Sequence, residues 1–312
     1  MIVVTSANGV FGIRESMRVL KAGGSAIDAV EAGIRLVEAN PDDHTVGYSG
    51  FPNILGEVEL DASIMDGATL LAGAVGALRN YKHPISIARK ALEVLPHVLL
   101  VGIGAERFAD EMGYEKEDLL TKEASEIWAK GLLKDMPNTV FEQLNSLRDL
   151  YRWVKLATDP EKIHGTVNFI AQDINGNICT GVSTSGWAWK YPGRLGDSPV
   201  IGAGNYAHNK YGAAACTGLG EMAIRACTAR SVVLYMKMGM TVEQAGQAAM
   251  NDLNELGGNY LGEMNIIAID HTGKPAAFSN FENATFAYIT DQMDDPVVSH
   301  RSYVANKMRW NL

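Results

Sequence analysis

His164-Gly165-Thr166-Val167-Asn168-Phe169-Ile170-Ala171 lies near the middle of a chain of 312 residues. A polar linker ends at His164, and the apolar, β-branched run from Val167 predicts a strand. The junction reads in two ways. One is an ordinary turn before a strand. The other is a peptide bond, Gly165–Thr166, that breaks itself and leaves Thr166 as a new N-terminus. Threonine suits that role because hydroxyl and α-amine then sit on one residue, the first as nucleophile and the second as its base. An α-amino group titrates near about pH 8, so a sizeable share is neutral and basic under cellular conditions. Three residues alone do not decide between the readings. The spacing downstream does.

On the C-terminal side of the junction the pattern is strands joined by tight turns. Asp173-Ile174-Asn175-Gly176-Asn177 separates two of them, and Asp270-His271-Thr272-Gly273-Lys274 separates two more. Helices are expected near 218–238 and over 241–253, the second opened by the capping box Thr241-x-x-Gln244. On the N-terminal side, 106–159 is charged and helical, with Trp128 and Trp153 as isolated aromatic anchors. It loses apolar periodicity towards Thr158-Asp159-Pro160.

Further out, Met1 to Thr5 reads as a first strand and Ser6-Ala7-Asn8-Gly9 as a turn or loop. Ser25-Ala26-Ile27-Asp28 is a capping box for a helix carrying Ile27, Val30, Ile34 and Val37. Two loops follow, Asn40 to His44 and Gly47 to Gly50. From Glu57 to Ile64 the alternation is strict, with Val58, Leu60, Ala62 and Ile64 on one side and Glu57, Glu59, Asp61 and Ser63 on the other. It predicts a half-buried strand ended by Asp66-Gly67. Pro84 opens another helix, and Val98 to Val101 is a short apolar run. Strands in both halves with helical blocks among them fit one α+β domain over 1–312, two packed sheets with helices outside.

The chain is 47% hydrophobic with a formal net charge of −9. That balance argues against a nucleic-acid or anionic-membrane partner. No apolar run reaches the length of a membrane span, and the first residues lack the marks of a signal peptide. Cys179, Cys216 and Cys227 cannot all pair with one another and form no C-x-x-C; reduced, buried thiols and a cytoplasmic location are expected. The seven histidines include no H-E-x-x-H, and His44 beside Asp42 and Asp43 reads as a solvated loop, so neither metal nor cofactor is expected. Gly202-Ala203-Gly204-Asn205-Tyr206-Ala207 fits a dinucleotide fingerprint, but no good strand precedes it and no amphipathic helix follows. Gly102-Ile103-Gly104 has Arg107 where the third glycine belongs. Both fail.

Two further segments carry chemistry. Ser183-Thr184-Ser185-Gly186 precedes Pro192-Gly193-Arg194-Leu195-Gly196-Asp197-Ser198-Pro199, where Arg194 and Asp197 are opposite charges three residues apart. Such a pair suits an amino-acid zwitterion, guanidinium on carboxylate and carboxylate on ammonium; a surface salt bridge is the commoner fate. Cys216-Thr217-Gly218-Leu219-Gly220-Glu221 leads into a helix. Its N–H groups and the Thr217 hydroxyl can stabilise an oxyanion, or simply cap the helix.

Taken in order, H-G-T, S-T-S-G, P-G-R-L-G-D-S-P and C-T-G-L-G-E resemble the glycosylasparaginase and plant-type asparaginase (isoaspartyl peptidase) family of N-terminal nucleophile hydrolases. The resemblance extends upstream through Gly23-Gly24-Ser25-Ala26-Ile27-Asp28-Ala29-Val30 and Glu59-Leu60-Asp61-Ala62-Ser63-Ile64-Met65-Asp66-Gly67. It covers most of the chain, apart from the linker before Thr166 and the tail after about Asn283. It implies that Thr166 is the autoproteolytic and catalytic nucleophile, tuned by Thr184. Arg194 and Asp197 are then the clamp on the substrate's α-carboxylate and α-amine, with Gly220 adding a carbonyl at the amine site. Thr217 and Gly218 are the oxyanion hole. The implied fold is a four-layer αββα sandwich, cut between Gly165 and Thr166 into an α subunit, 1–165, and a β subunit, 166–312. The implied assembly is a homodimer of αβ heterodimers.

The implied activity is hydrolysis of the side-chain (β-aspartyl) amide of a small asparagine-derived substrate through a β-aspartyl ester. Val46-Gly47-Tyr48-Ser49-Gly50-Phe51-Pro52 looks like glycosylasparaginase. Yet Ser6-Ala7-Asn8 stands where those enzymes carry a substrate-contacting Trp, Asn53 stands where they have an acid, and Gly165 is the plant-type residue where they have Asp. The alternatives are therefore a glycosylasparaginase-like enzyme and an isoaspartyl peptidase or asparaginase of the plant type. A dormant, uncleaved precursor acting as a binding protein is the non-enzymatic alternative. Trp187 and Trp189 either line the leaving-group side or serve as core or interface aromatics.

Overall fold

Two sheets organise the computed structural model, which describes residues 1–134, 136–157 and 165–310. The first half of the chain contains β1 (Ile2–Ser6), α1 (Val10–Lys21), α2 (Ala26–Glu38), β2 (Leu60–Asp66), β3 (Ala72–Leu78) and α3 (Pro84–Val94). It continues through β4 (Leu99–Val101), α4 (Gly102–Glu111), α5 (Lys122–Leu133), α6 (Asn138–Phe141) and α7 (Leu150–Ala157). The second half opens with β5 (Val167–Gln172), β6 (Ile178–Thr184), β7 (Asn205–His208) and β8 (Gly212–Gly218). Then come α8 (Gly220–Ala226), α9 (Thr228–Lys237), α10 (Val242–Asp252), β9 (Tyr260–Leu261), β10 (Met264–Asp270) and β11 (Pro275–Ser279). The last strands are β12 (Thr285–Thr290), β13 (Val297–His300), β14 (Ser302–Tyr303) and β15 (Arg309–Trp310). His164 and the linker Thr158-Asp159-Pro160 lie outside the described residues.

One sheet has eight strands in the order β13-β12-β1-β5-β6-β2-β3-β4, the other five in the order β14-β11-β10-β8-β7. Alternate residues of a strand face opposite sides of its sheet, and β5 shows the sorting. Val167, Phe169 and Ala171 join a core with Ile13 of α1, Val30 and Ile34 of α2 and Ile85 of α3. Ile170 points the other way and packs with Val4 and Val182 against Ala213, Ala215 and Ile267 of the five-stranded sheet. The far face of that sheet carries Met222, Val233 and Ala249 from α8, α9 and α10. A further cluster joins Phe51, Ile54 and Trp189 to α5–α7, with Trp128 and Trp153 packed on it as the anchors they were expected to be.

The structure departs from local expectation where burial comes from tertiary packing. The alternating stretch is buried on both sides: Asp61 and Ser63 are as enclosed as Ala62 and Ile64. A sheet covered on both faces has no solvent side for them. The loop after β1 is a single 3₁₀ turn that runs straight into α1. The helix expected near 218–238 is split at Cys227, whose φ is 49°. Cys227 is exposed, contrary to the expectation for all three thiols, while Cys179 and Cys216 are buried and all three are free. Among the described residues no helix is long and apolar enough to cross a membrane.

Candidate active site

The strand register brings the threonines together. β5 runs antiparallel between β1 and β6, with Val167 opposite Ser183 and Phe169 opposite Thr5. Residues just before β5 therefore meet the end of β6 and the end of β1. Thr166 Oγ1 donates to Thr184 Oγ1 at 3.3 Å, and Thr184 Oγ1 donates to the Gly165 carbonyl at 2.9 Å. The Gly186 N–H donates to the same Thr184 oxygen at 2.9 Å. One hydroxyl thus faces both the candidate nucleophile and the carbonyl of the bond it would attack, with its donor and acceptor capacity filled.

Around this junction the polar contacts interlock. Ser6 Oγ donates to Asn8 Oδ1 at 2.7 Å and lies 3.4 Å from the Thr166 carbonyl oxygen. Asn8 Nδ2 donates to Asp43 Oδ2 at 2.9 Å. Asp43 Oδ1 accepts the Thr45 N–H at 3.0 Å and its hydroxyl at 2.5 Å. Thr45 presses so closely on Gly165 that a Cβ there would fall 1.9–2.2 Å from three of its side-chain atoms. The loop before it is ordered by its own contacts. His44, expected in a solvated loop, is half-buried, with Nδ1 2.9 Å from the Ser49 carbonyl and its ring against Phe51.

Thr166 opens onto a cavity of about 560 Å³ that also takes in Thr217, Gly218, Asn8, Asp43 and Thr45. Glu263, Asn265 and Arg301 complete its polar wall. Thr217 and Gly218 end β8 rather than opening the helix; α8 starts at Gly220. Arg301 is buried, and burial pushes its guanidinium down to about 10, with Glu263 opposing, so it remains a cation at neutral pH.

Arg194 lies elsewhere. It lines a second cavity with Glu221, Trp187, Lys190 and Tyr260, walled by Val154 and Lys155 of α7. Its partner is Glu221, which the sequence reading had not assigned to it: Nε donates to Oε1 at 2.9 Å and Nη2 to Oε2 at 2.8 Å. Burial works to raise the Glu221 carboxyl, but Arg194 overrides it and holds it below the usual carboxylate range. The guanidinium also sits 5.4 Å from the centre of the Trp187 ring. Neither tryptophan lines the Thr166 cavity: Trp187 belongs to the Arg194 side, and Trp189 is a core aromatic whose Nε1 donates to the Trp128 carbonyl at 3.1 Å.

Asp197 is buried and makes no salt bridge with Arg194, which acts on it only through space. Burial pushes its carboxyl up to about 7 against the pull of Arg194. Gly220 lets the start of α8 approach it, since a Cβ there would lie 2.8 Å from both Asp197 N and Oδ1. The loop carrying Arg194 and Asp197 is anchored from the polar side of the 57–63 stretch. Glu59 accepts the Gly193 N–H at 3.0 Å, and Asp61 accepts the Gly196 N–H at 3.5 Å. The buried ammonium of Lys190 donates to the Glu59 carbonyl at 2.9 Å. Alternation had marked Glu59 and Asp61 as a solvent face; the charges instead hold the loop.

A threonine pair at a strand start, a buried arginine–carboxylate grip and a polar cavity between two sheets describe an amide hydrolase. The chain belongs to the asparaginase family, whose model matches residues 10–298. It is 38% identical over 278 residues to an N(4)-(β-N-acetylglucosaminyl)-L-asparaginase of Elizabethkingia miricola, covering 88% of this chain and 76% of that protein. It is 38% identical over 294 residues to a plant-type L-asparaginase of Thermococcus kodakarensis, covering 91% of each. An isoaspartyl peptidase/L-asparaginase of Mus musculus is 38% identical over 266 residues, 83% of this chain and 74% of that one.

Proposed function

We propose that this chain is an autoprocessing amidohydrolase that cleaves the β-aspartyl amide of asparagine derivatives through Thr166. The observation that carries the reading is the Thr184 hydroxyl, bonded at once to the Thr166 hydroxyl and to the Gly165 carbonyl. In the first reaction Thr166 Oγ attacks the Gly165 carbonyl carbon, and the C–N bond breaks as the nitrogen takes up a proton. Water then hydrolyses the ester, leaving Gly165 as a carboxylate and Thr166 with a free α-amine. The products are an α subunit, 1–165, and a β subunit, 166–312.

Turnover repeats the chemistry on a substrate. Arg194, held by Glu221, takes the α-carboxylate, while Asp197 and the Gly220 carbonyl take the α-ammonium. The Thr166 amine accepts the hydroxyl proton as Oγ attacks the side-chain amide. Thr217 and the Gly218 N–H stabilise the oxyanion, and the amine leaves with a proton. Water releases aspartate from the β-aspartyl ester. The two sheets and their outer helices support the reading of a four-layer αββα sandwich in one domain, and the αβ units are expected to pair. The free thiols fit a reducing, cytoplasmic setting.

Intact mass under denaturing conditions, with N-terminal sequencing, tests this directly. Two fragments are expected, the second beginning at Thr166, and Thr166→Ala should abolish both cleavage and hydrolysis. An unbroken wild-type chain after long incubation, or normal turnover by Thr166→Ala, overturns the mechanism.

A further inference from the structure

Arg301 lies beyond the last residue matched by the family model. It is the single residue between β13 of the eight-stranded sheet and β14 of the five-stranded one. Its backbone is pinned there, the N–H donating to the Ala284 carbonyl at 2.8 Å. Its side chain is buried yet lines the Thr166 cavity. Nε donates to the Thr285 carbonyl at 2.9 Å and Nη1 to the Ile266 carbonyl at 3.2 Å. Among the described residues no carboxylate is paired with it. Glu263 shares the cavity, but its Oε1 is taken by Asn265 Nδ2 at 2.7 Å. A guanidinium out of water with only carbonyl dipoles for partners is costly, and an anion in the cavity would relieve that cost.

Asn265 supplies a second, independent feature. Its Nδ2 is committed to Glu263, and its Oδ1 is buried without a partner. A buried acceptor left open beside a cavity calls for a donor. Its place in the sheet says which. Asn265 sits directly opposite Thr217 in the β8–β10 pair, and the next residue, Ile266, provides the carbonyl that Arg301 holds. The order across the sheet is therefore Thr217, Asn265, Arg301. Arg194 and Glu221 line the other cavity.

We propose that Asn265 and Arg301 form the leaving-group subsite, and that it takes an α-amino acid. This rests on the function proposed above. With the scissile carbonyl at Thr217, Asn265 Oδ1 accepts the N–H of the leaving nitrogen, and Arg301 takes the carboxylate that follows it. The favoured substrates are then β-aspartyl peptides with a free carboxylate on the residue after the scissile bond.

The test uses the cleaved enzyme and three substrates: a β-aspartyl dipeptide, the same dipeptide as its C-terminal carboxamide, and L-asparagine. A buried charge-assisted contact predicts a preference of roughly tenfold or more in kcat/KM for the free acid over the carboxamide. Arg301→Gln should bring that ratio towards one, mainly through KM on the acid, while Arg301→Lys retains part of it. Cleavage at Gly165–Thr166 reports that each variant has folded. Should Arg301→Gln not fold, Asn265→Asp carries the test, because its carboxylate must repel the acid and lower the same ratio. A wild-type ratio near one, or a ratio that survives Arg301→Gln or Asn265→Asp, overturns the subsite and leaves the β-aspartyl hydrolase standing. A cleaved enzyme that hydrolyses none of the three overturns both.

Discussion

Replacing Gly165 by alanine should nearly stop self-cleavage, and the structure says by what route. The new Cβ would fall 1.9 Å from Thr45 Oγ1, 2.0 Å from its Cβ and 2.2 Å from its Cγ2. Unstrained carbon contacts lie at about 3.5–4.0 Å, so relief needs a displacement of roughly 1.5 Å. Thr45 is poorly placed to yield. Asp43 holds its N–H and its hydroxyl, and its carbonyl accepts the Ser185 N–H at 2.7 Å. Residue 165 has to move, and a shift of that size takes its carbonyl off the Thr184 hydroxyl, now 2.9 Å away. Losing one donor to a developing oxyanion costs about 10²–10³ in rate. The assay is a time course of intact mass under denaturing conditions. Thr45→Gly in the same chain removes all three opposing atoms and should restore cleavage, whereas Thr45→Ala keeps the Cβ and should not. Cleavage of Gly165→Ala at the wild-type rate, or equal rescue by Thr45→Ala, would refute the steric reasoning.

Other outcomes follow from the Arg194 side. Glu221→Gln removes the charge that grips Arg194 and should raise KM for asparagine roughly tenfold, the scale of a hydrogen bond between charged groups, with a smaller effect on kcat. Cleavage should persist, since Arg194 lines a different cavity from Thr166; loss of cleavage would show that Glu221 serves the fold instead. Asp197, buried and raised to about 7, makes stability depend on pH. Between its ordinary value of 3.8 and about 7 the folded chain keeps a proton that the unfolded chain has released. Stability therefore falls as pH rises through that window, by at most about 1.4 kcal/mol per pH unit from this group. Denaturant midpoints at about pH 5 and pH 8 should differ more for the wild type than for Asp197→Asn; equal slopes would remove the assignment. In kcat/KM the same group acts in the opposite sense, because the carboxylate is needed for the α-ammonium: activity should rise with pH through about 7.

What the sequence made legible was local. The capping boxes at Ser25 and Thr241 form as written. The strand after Thr166 and the turns at 173–177 and 270–274 also stand where expected. The meeting of Thr166 with Thr184 follows from one hairpin of known polarity, so motif order led to it. Partner choice across the fold was not legible. Glu221 stands twenty-seven residues from Arg194, in a motif read for its glycines, and nothing in local periodicity says that its carboxylate replaces Asp197 as the partner. Glu59 and Asp61 misled for a definable reason: alternation distinguishes two faces of a strand but does not say that both are covered. The tail could not be read either. Arg301 reaches the Thr166 cavity only because β12 and β13 extend one sheet and β14 joins the other.

That arrangement bears on the order of events. In the uncut chain Thr166, Thr217 and Gly218 line one cavity, while Arg194 and Glu221 line another. The proposed chemistry needs one asparagine-sized molecule to touch both Thr166 and Arg194. It also needs an α-amine that Thr166 does not possess while the peptide bond to Gly165 is intact. Geometry and chemistry thus point the same way: breaking Gly165–Thr166 creates the base and frees one wall of the nucleophile's cavity from the other. On this reading the contacts among Thr45, Gly165 and Thr184 are a device for the first turnover, whereas Arg194, Asp197 and Glu221 serve every later one. Variants of the first group should therefore alter the rate of maturation and variants of the second the hydrolysis of substrate, with Thr166 and Thr184 common to both.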